Sequence, residues 1–145
     1  MRKIDKIILH CSDSDFGDKD LIDGWHSARG WDGIGYHYVI LNGHPSDAPY
    51  RRSEDGVIEI GRDVDEIGAH CYGENKDSIG ISLVGRNHFT PLQLFVALPL
   101  LLSALLKEHG LGVKDIFGHG EFNSKKTCPN MDMKVFRENL SRTLY

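Results

Sequence analysis

Two histidines and one cysteine carry the first chemical signal in this chain. His10 closes the apolar run KIIL and His119 closes IFG, so each emerges where a strand would end at the edge of a sheet. Cys128 follows His119 across a polar loop and stands just before Pro129. Two imidazoles and a thiolate are donors that zinc accepts, and three protein ligands leave a fourth position for water. The spacing matches no zinc-finger pattern, and two structural histidines beside an inert thiol would account for the same residues.

The elements that must position these groups alternate between strands and helices. Residues 6–10 (KIILH) form a short buried strand, and 20–29 (DLIDGWHSAR) space Leu21, Ile22, Trp25 and Ala28 as a helix that Gly30 stops. Residues 35–41 read as a strand with 56–60 as its hairpin partner, and the joining segment 42–55 as an exposed loop. A further strand covers 78–84. Thr90 and Gln93 make a capping box with Pro91 at the first helical position, and the helix runs to His109, where Gly110 ends it. Pro99 should kink it, because proline lacks the backbone donor and crowds the residue four back. A short strand at 116–119 and a last helix at 133–142 complete an α/β or α+β sheet covered by helices.

By alternation His37 faces away from Tyr36, and Cys11 away from His10. His26, His44, His88 and His109 read as surface or helix-end residues.

The chain has 145 residues, the size of one domain, with a formal net charge of −4. That balance excludes a general affinity for nucleic acid or anionic membrane. The start has too short an apolar run for a secretory signal, and 94–106 is interrupted by Pro99 and too short to cross a bilayer. A cytoplasmic chain, without membrane insertion, is the expectation. Cys11, Cys71 and Cys128 are too few and too scattered for a disulfide scaffold. Cys11 and Cys71 are expected to be free and dispensable.

Six words occur in a telling order: ILHCS (8–12), GYHYVI (35–40), EIGR (59–62), IGAH (67–70), NKDSIGISLVG (75–85) and KTCP (126–129). Together they resemble the type-2 N-acetylmuramoyl-L-alanine amidase family, which includes the peptidoglycan recognition proteins. The resemblance implies an α/β fold with a mixed central β-sheet flanked by helices. It also implies a zinc-dependent cut between the lactyl group of N-acetylmuramic acid and L-alanine in peptidoglycan. Carried over, one zinc per chain falls on His10, His119 and Cys128, and the catalytic tyrosine and lysine fall on Tyr36 and Lys126. Lys126 would hold the charge developing on the tetrahedral oxygen, and Tyr36 would orient water or pass protons.

His70 reads as a substrate contact, with a surface loop as rival. Asn75 is a second substrate contact and Arg62 a weaker one, with a turn or an ion pair explaining either. The loop at 42–55 is longer than in the smallest members and could border the cleft. Lys125 beside Lys126 is a second departure.

The whole reading is a single amidase domain over 1–145, monomeric, acting on the cell wall after release as a phage or prophage endolysin. Rivals are a non-catalytic peptidoglycan-binding module and an inhibitor of a phage RNA polymerase. Cys128, the ligand such binders commonly lack, argues against the first.

Overall fold

A computed structural model describes residues 2–144. Its centre is a five-stranded sheet of order β3-β2-β4-β1-β5. The strands are β1 (Lys6–Cys11), β2 (Tyr38–Asn42), β3 (Asp55–Ile60), β4 (Ser78–Leu83) and β5 (Ile116–Gly118). β4 and β5 pair parallel to β1 on either side, β2 pairs parallel to β4, and β3 is an antiparallel edge strand on β2. Helices cover both faces of the parallel strands, so β1 and β4 are buried at nearly every position; β1 carries the apolar run Ile7–Leu9, and β4 sets Ile79, Ile81 and Leu83 between the small residues Ser78, Gly80 and Ser82. Ile7, Ile8 and Leu9 are fully buried, each stabilising the fold by about 1.5–3 kcal/mol.

Helix α1 (Lys19–Ala28) covers one face, where Ile22 packs with Ile34, Val39, Leu41 and Val84. The Asp18 side chain accepts from the Leu21 N–H at 2.9 Å and starts the helix. Helices α2 (Leu98–His109) and α3 (Met133–Leu144) cover the other face through Leu98, Leu102, Leu105, Met133 and Leu140. The expected capping box before α2 is present: the Thr90 N–H donates to Gln93 Oε1 at 2.9 Å and the Gln93 N–H to Thr90 Oγ1 at 3.1 Å. Buried Gln93 also donates to the Ile40 and Val84 carbonyls, each at 3.0 Å, and so ties the ends of β2 and β4 to the helix start. In place of a simple kink at Pro99, a π-helical turn spans Gln93–Ala97, with the Leu98 N–H reaching the Gln93 carbonyl. The wide turn directly ahead of the proline accommodates a residue that has no donor for the regular ladder.

No helix among the described residues is long and apolar enough to cross a membrane. The parallel arrangement brings the carboxyl ends of β1, β4 and β5 to one edge, the usual place for a site in such sheets.

Candidate functional site

A cleft of about 670 Å³ opens at that edge, and all seven residues singled out from the sequence line it. β1 delivers His10, buried to 1% exposure. β5 ends one residue before His119, whose ring centroid lies 4.6 Å from that of His10. Tyr36 stands in the extended segment before β2, its ring 5.1 Å from His10. Lys126 and Cys128 come from the loop between β5 and α3, and His70 and Asn75 from the loop before β4.

A chain of hydrogen bonds fixes the tautomer of His10. Ser78 Oγ donates its only proton to the Glu74 carbonyl at 2.7 Å, so it can only accept from His70 Nε2, 3.2 Å away. His70 Nδ1 is then unprotonated and accepts from His10 Nε2–H at 2.8 Å. His10 Nδ1 is left as a bare lone pair. Imidazoles that hold metals characteristically donate their other N–H in this way.

His70 thus has both ring nitrogens engaged inside the protein and is only 8% exposed. Its ring packs so closely on β4 that a Cβ at Gly80 would come within 2.6 Å of it. Asn75 Oδ1 accepts from the His70 and Cys71 N–H groups, each at 2.9 Å, and holds the turn that carries the ring. Both residues line the cleft as expected of substrate contacts, and these atoms are in addition engaged inside the chain. Arg62 likewise spends its guanidinium on the Ile34 and Ile67 carbonyls.

The loop before Cys128 is built on a turn at Asn123. The Lys125 N–H donates to Asn123 Oδ1 at 3.0 Å and the Lys126 N–H to the Asn123 carbonyl at 2.9 Å. Both lysines line the cleft. Burial lowers the pKa of His119 and the Cys11 hydrogen bond that of Cys128, and the Lys126 charge adds to both. The Gly120 N–H donates to the Cys128 carbonyl at 2.9 Å, and a Cβ on Gly120 would meet the Lys126 carbonyl at 2.7 Å. The glycine therefore lets this loop close onto the turn of His119.

Cys11 departs from the expectation. Its Sγ lies 2.9 Å from that of Cys128, so the residue expected to stand apart borders the site. It does share the face of Ile7 and Leu9, away from His10, but the loop leading to α3 crosses the strand end on that side. The hydrogen bond from the Cys11 thiol holds the Cys128 pKa well below the ordinary thiol value, with Lys126 adding to it, and the Cys11 pKa is pushed up. Burial raises the Tyr36 pKa and lowers that of His10 far below its usual value.

Sequence reasoning missed His26. It does lie in the last turn of α1, but it is buried rather than at the surface, its Nδ1 accepts from the Gly35 N–H at 2.9 Å, and its ring lies 5.2 Å from Tyr36. Ile22, four residues earlier on the same buried face, was the available signal. His37 does face the core, where Nδ1 accepts from the Gly80 N–H at 3.0 Å and Nε2–H donates to the Glu66 carbonyl at 2.8 Å. The loop at 42–55 lines a separate groove through His44 and Tyr50, and none of it borders the cleft.

These buried imidazoles make the fold acid-sensitive. Burial takes the pKa of His26 and His37 down to about 4 and that of His70 to about 3, against about 6.5 in the unfolded chain. Their stabilisation is complete above about pH 6.5 and is lost as the pH falls towards the folded values, because only the unfolded chain takes up the protons. Each histidine contributes a slope approaching about 1.4 kcal/mol per pH unit in that window. Urea unfolding from pH 7 to 4.5 is expected to show this fall, with His26→Gln making it shallower; a flat profile would contradict it.

Among the described residues, no three His, Cys, Asp or Glu side chains are already closed into a metal cage. The donor chemistry still suits zinc: His10 and His119 are kept neutral, and the Cys128 thiol is eased towards thiolate.

The endolysin of Escherichia phage T7 is 33% identical over 146 residues, covering 92% of this chain and 85% of its own. The endolysin of Klebsiella phage KP32 is 32% identical over 145 residues, covering 92% and 85%. The solved N-acetylmuramoyl-L-alanine amidase LysC from Clostridium intestinale URNW superposes with a TM-score of 0.80 at 26% identity, covering 97% of this chain and 87% of that one. Residues 1–131 match the model of the N-acetylmuramoyl-L-alanine amidases, and the chain belongs to that family.

Proposed function

We propose that this amidase is a zinc-dependent endolysin of phage type, cutting the amide between the lactyl group of N-acetylmuramic acid and L-alanine. The observation that carries the reading is the gathering of His10, His119, Cys128, Tyr36 and Lys126 on one cleft, with His10 Nδ1 left free to ligate. His10, His119 and Cys128 would hold the metal. When bound, zinc supplies a water of pKa near 7 and polarisation of the scissile carbonyl.

The chain's own groups do the rest. His70 and Ser78 keep the proton of His10 on Nε2, so that Nδ1 stays a donor of electrons. Lys126 lines the cleft and its charge reaches His119, so its ammonium would hold the tetrahedral oxygen as it becomes negative. Tyr36 keeps its Oη proton, because burial raises its pKa. It therefore enters as a hydrogen-bond donor rather than as a base. His26 holds the Gly35 N–H and so sets the backbone that presents Tyr36.

Metal analysis combined with product mapping tests the proposal. Purified protein is expected to hold about one zinc per chain and to release new L-alanine amino termini from cell wall. Chelation should abolish that release and added zinc should restore it. A zinc-free protein of full activity, or cleavage of the glycan instead of the amide, would overturn the reading.

A further inference from the structure

The Cys11 thiol is not among the groups assigned above to the metal or the substrate, yet it lies 2.9 Å from the sulfur of Cys128. We propose that Cys11 and Cys128 are a redox modification site. A low-molecular-weight disulfide converts the pair into an internal disulfide, and this bond and zinc exclude one another. The inference rests on the reading of Cys128 as a zinc ligand.

The pair is held from both sides. Cys11 ends β1, paired to Leu83 of β4, and the next residue continues the contact through its N–H to the Leu83 carbonyl at 2.9 Å. Cys128 is fixed by the Gly120 N–H on its carbonyl at 2.9 Å. Asn130 donates to Cys11 Sγ at 3.6 Å and to the Arg86 carbonyl at 2.7 Å, so the thiol is clasped from the loop as well. A sulfur–sulfur bond is about 2.0 Å long, so closing the pair takes roughly 1 Å of movement. Cys11 is buried whereas Cys128 is half-buried on the cleft wall, so a small oxidant meets Cys128 first. Cys71, the third thiol, has neither sulfur as a hydrogen-bond partner among the described residues.

The step is ordinary thiol–disulfide exchange. Cys128, as thiolate, attacks one sulfur of the small disulfide R–S–S–R, forms a mixed disulfide and releases RS⁻. Cys11 then attacks the Cys128 sulfur, loses its proton to solvent and expels the second RS⁻. The protein pair gives up two electrons and two protons, and the oxidant leaves as two molecules of RSH. The product has no sulfur lone pair of thiolate character on Cys128, so the donor set falls to two imidazoles. With zinc in place, the Cys128 thiolate is engaged and the exchange is blocked.

The test uses the full chain in metal-free and zinc-loaded form, each incubated with oxidised glutathione, alkylated and peptide-mapped, with zinc affinity measured in parallel. The metal-free chain is expected to yield a Cys11–Cys128 cross-link and to lose more than about 100-fold in zinc affinity, since disturbing even a group behind a ligand costs about 10–100-fold. Dithiothreitol should restore binding. The zinc-loaded chain should keep both thiols free, and metal-free Cys11→Ala should carry a glutathione adduct on Cys128 with no cross-link. Free thiols, lasting adducts or links to Cys71 in the metal-free chain would overturn the proposal, as would a cross-link formed with zinc retained. A reduced chain that never binds zinc refutes the ligand reading instead, while the peptide map still judges the pair by itself.

Discussion

Alanine at His10, His119 or Cys128 is expected to take wall hydrolysis to background, a loss beyond the ~10²–10³-fold that removing one oxyanion donor costs. Each replacement should also strip the bound zinc. The reason is arithmetic as much as geometry: a three-ligand site that loses one donor keeps two, too few for a closed tetrahedral shell with one open position. The variants differ in what else they disturb. His10 is buried and donates to His70, so His10→Ala orphans a buried ring and should lower stability as well. Cys128 is only half-buried and its replacement leaves the fold cheaply. Cys128→Ser is therefore the cleaner measurement, because it keeps the volume but offers a hydroxyl that stays protonated at neutral pH. Far-ultraviolet circular dichroism like that of the parent, combined with absent zinc and absent turnover, is the expected result. A Cys128→Ser protein that still holds zinc and cuts wall would remove the thiolate from the mechanism.

How much of this was legible beforehand depends on whether a feature is local. Apolar runs ending in His10 and His119 fix two strands and the edge at which both side chains emerge, and the capping box at Thr90 and Gln93 fixes a helix start to the residue. Those signals lie within a few residues of one another. The roles of His70 and Cys11 do not. His70 meets His10 across 60 residues of sequence, and Cys11 meets Cys128 across 117. Alternation along a strand states which face Cys11 takes, but not that a distant loop will cross the strand end on that face. A histidine in a Gly-rich stretch reads as a cleft residue, which His70 is, but nothing local says that Ser78 and His10 occupy both its nitrogens. His26 was open to a better reading, since its spacing from Ile22 put it on the buried stripe of α1. Residue type was weighed above position there. Pro99 predicted a disturbance in the helix without its form, because a π-helical turn and a kink relieve the same missing donor.

The two lysines give the sharpest test of the carry-over. Lys126→Ala is expected to keep zinc and fold but lose roughly 10²–10³-fold in turnover, the usual cost of one oxyanion donor. Lys125→Ala should stay within a few-fold of the parent. Both side chains are exposed on the cleft wall, so exposure does not separate them. What separates them is the backbone. Lys125 sits inside the turn that Asn123 closes with its side chain, whereas Lys126 leaves that turn and packs its carbonyl against Gly120, next to His119. The Lys126 charge consequently acts on His119 and Cys128. The Lys125 charge is not among those that shift either group, so its loss is expected to cost little. The kinetic signature follows from the role: a group that meets only the developing oxyanion lowers kcat with little change in KM. If Lys125→Ala proves the damaging change, the turn at Asn123 rearranges when substrate binds and the register of the assignment moves by one residue. If Lys126→Ala raises KM alone, the ammonium binds a substrate carboxylate and the oxyanion is held by another group, with Tyr36 Oη next in reach of the same cleft.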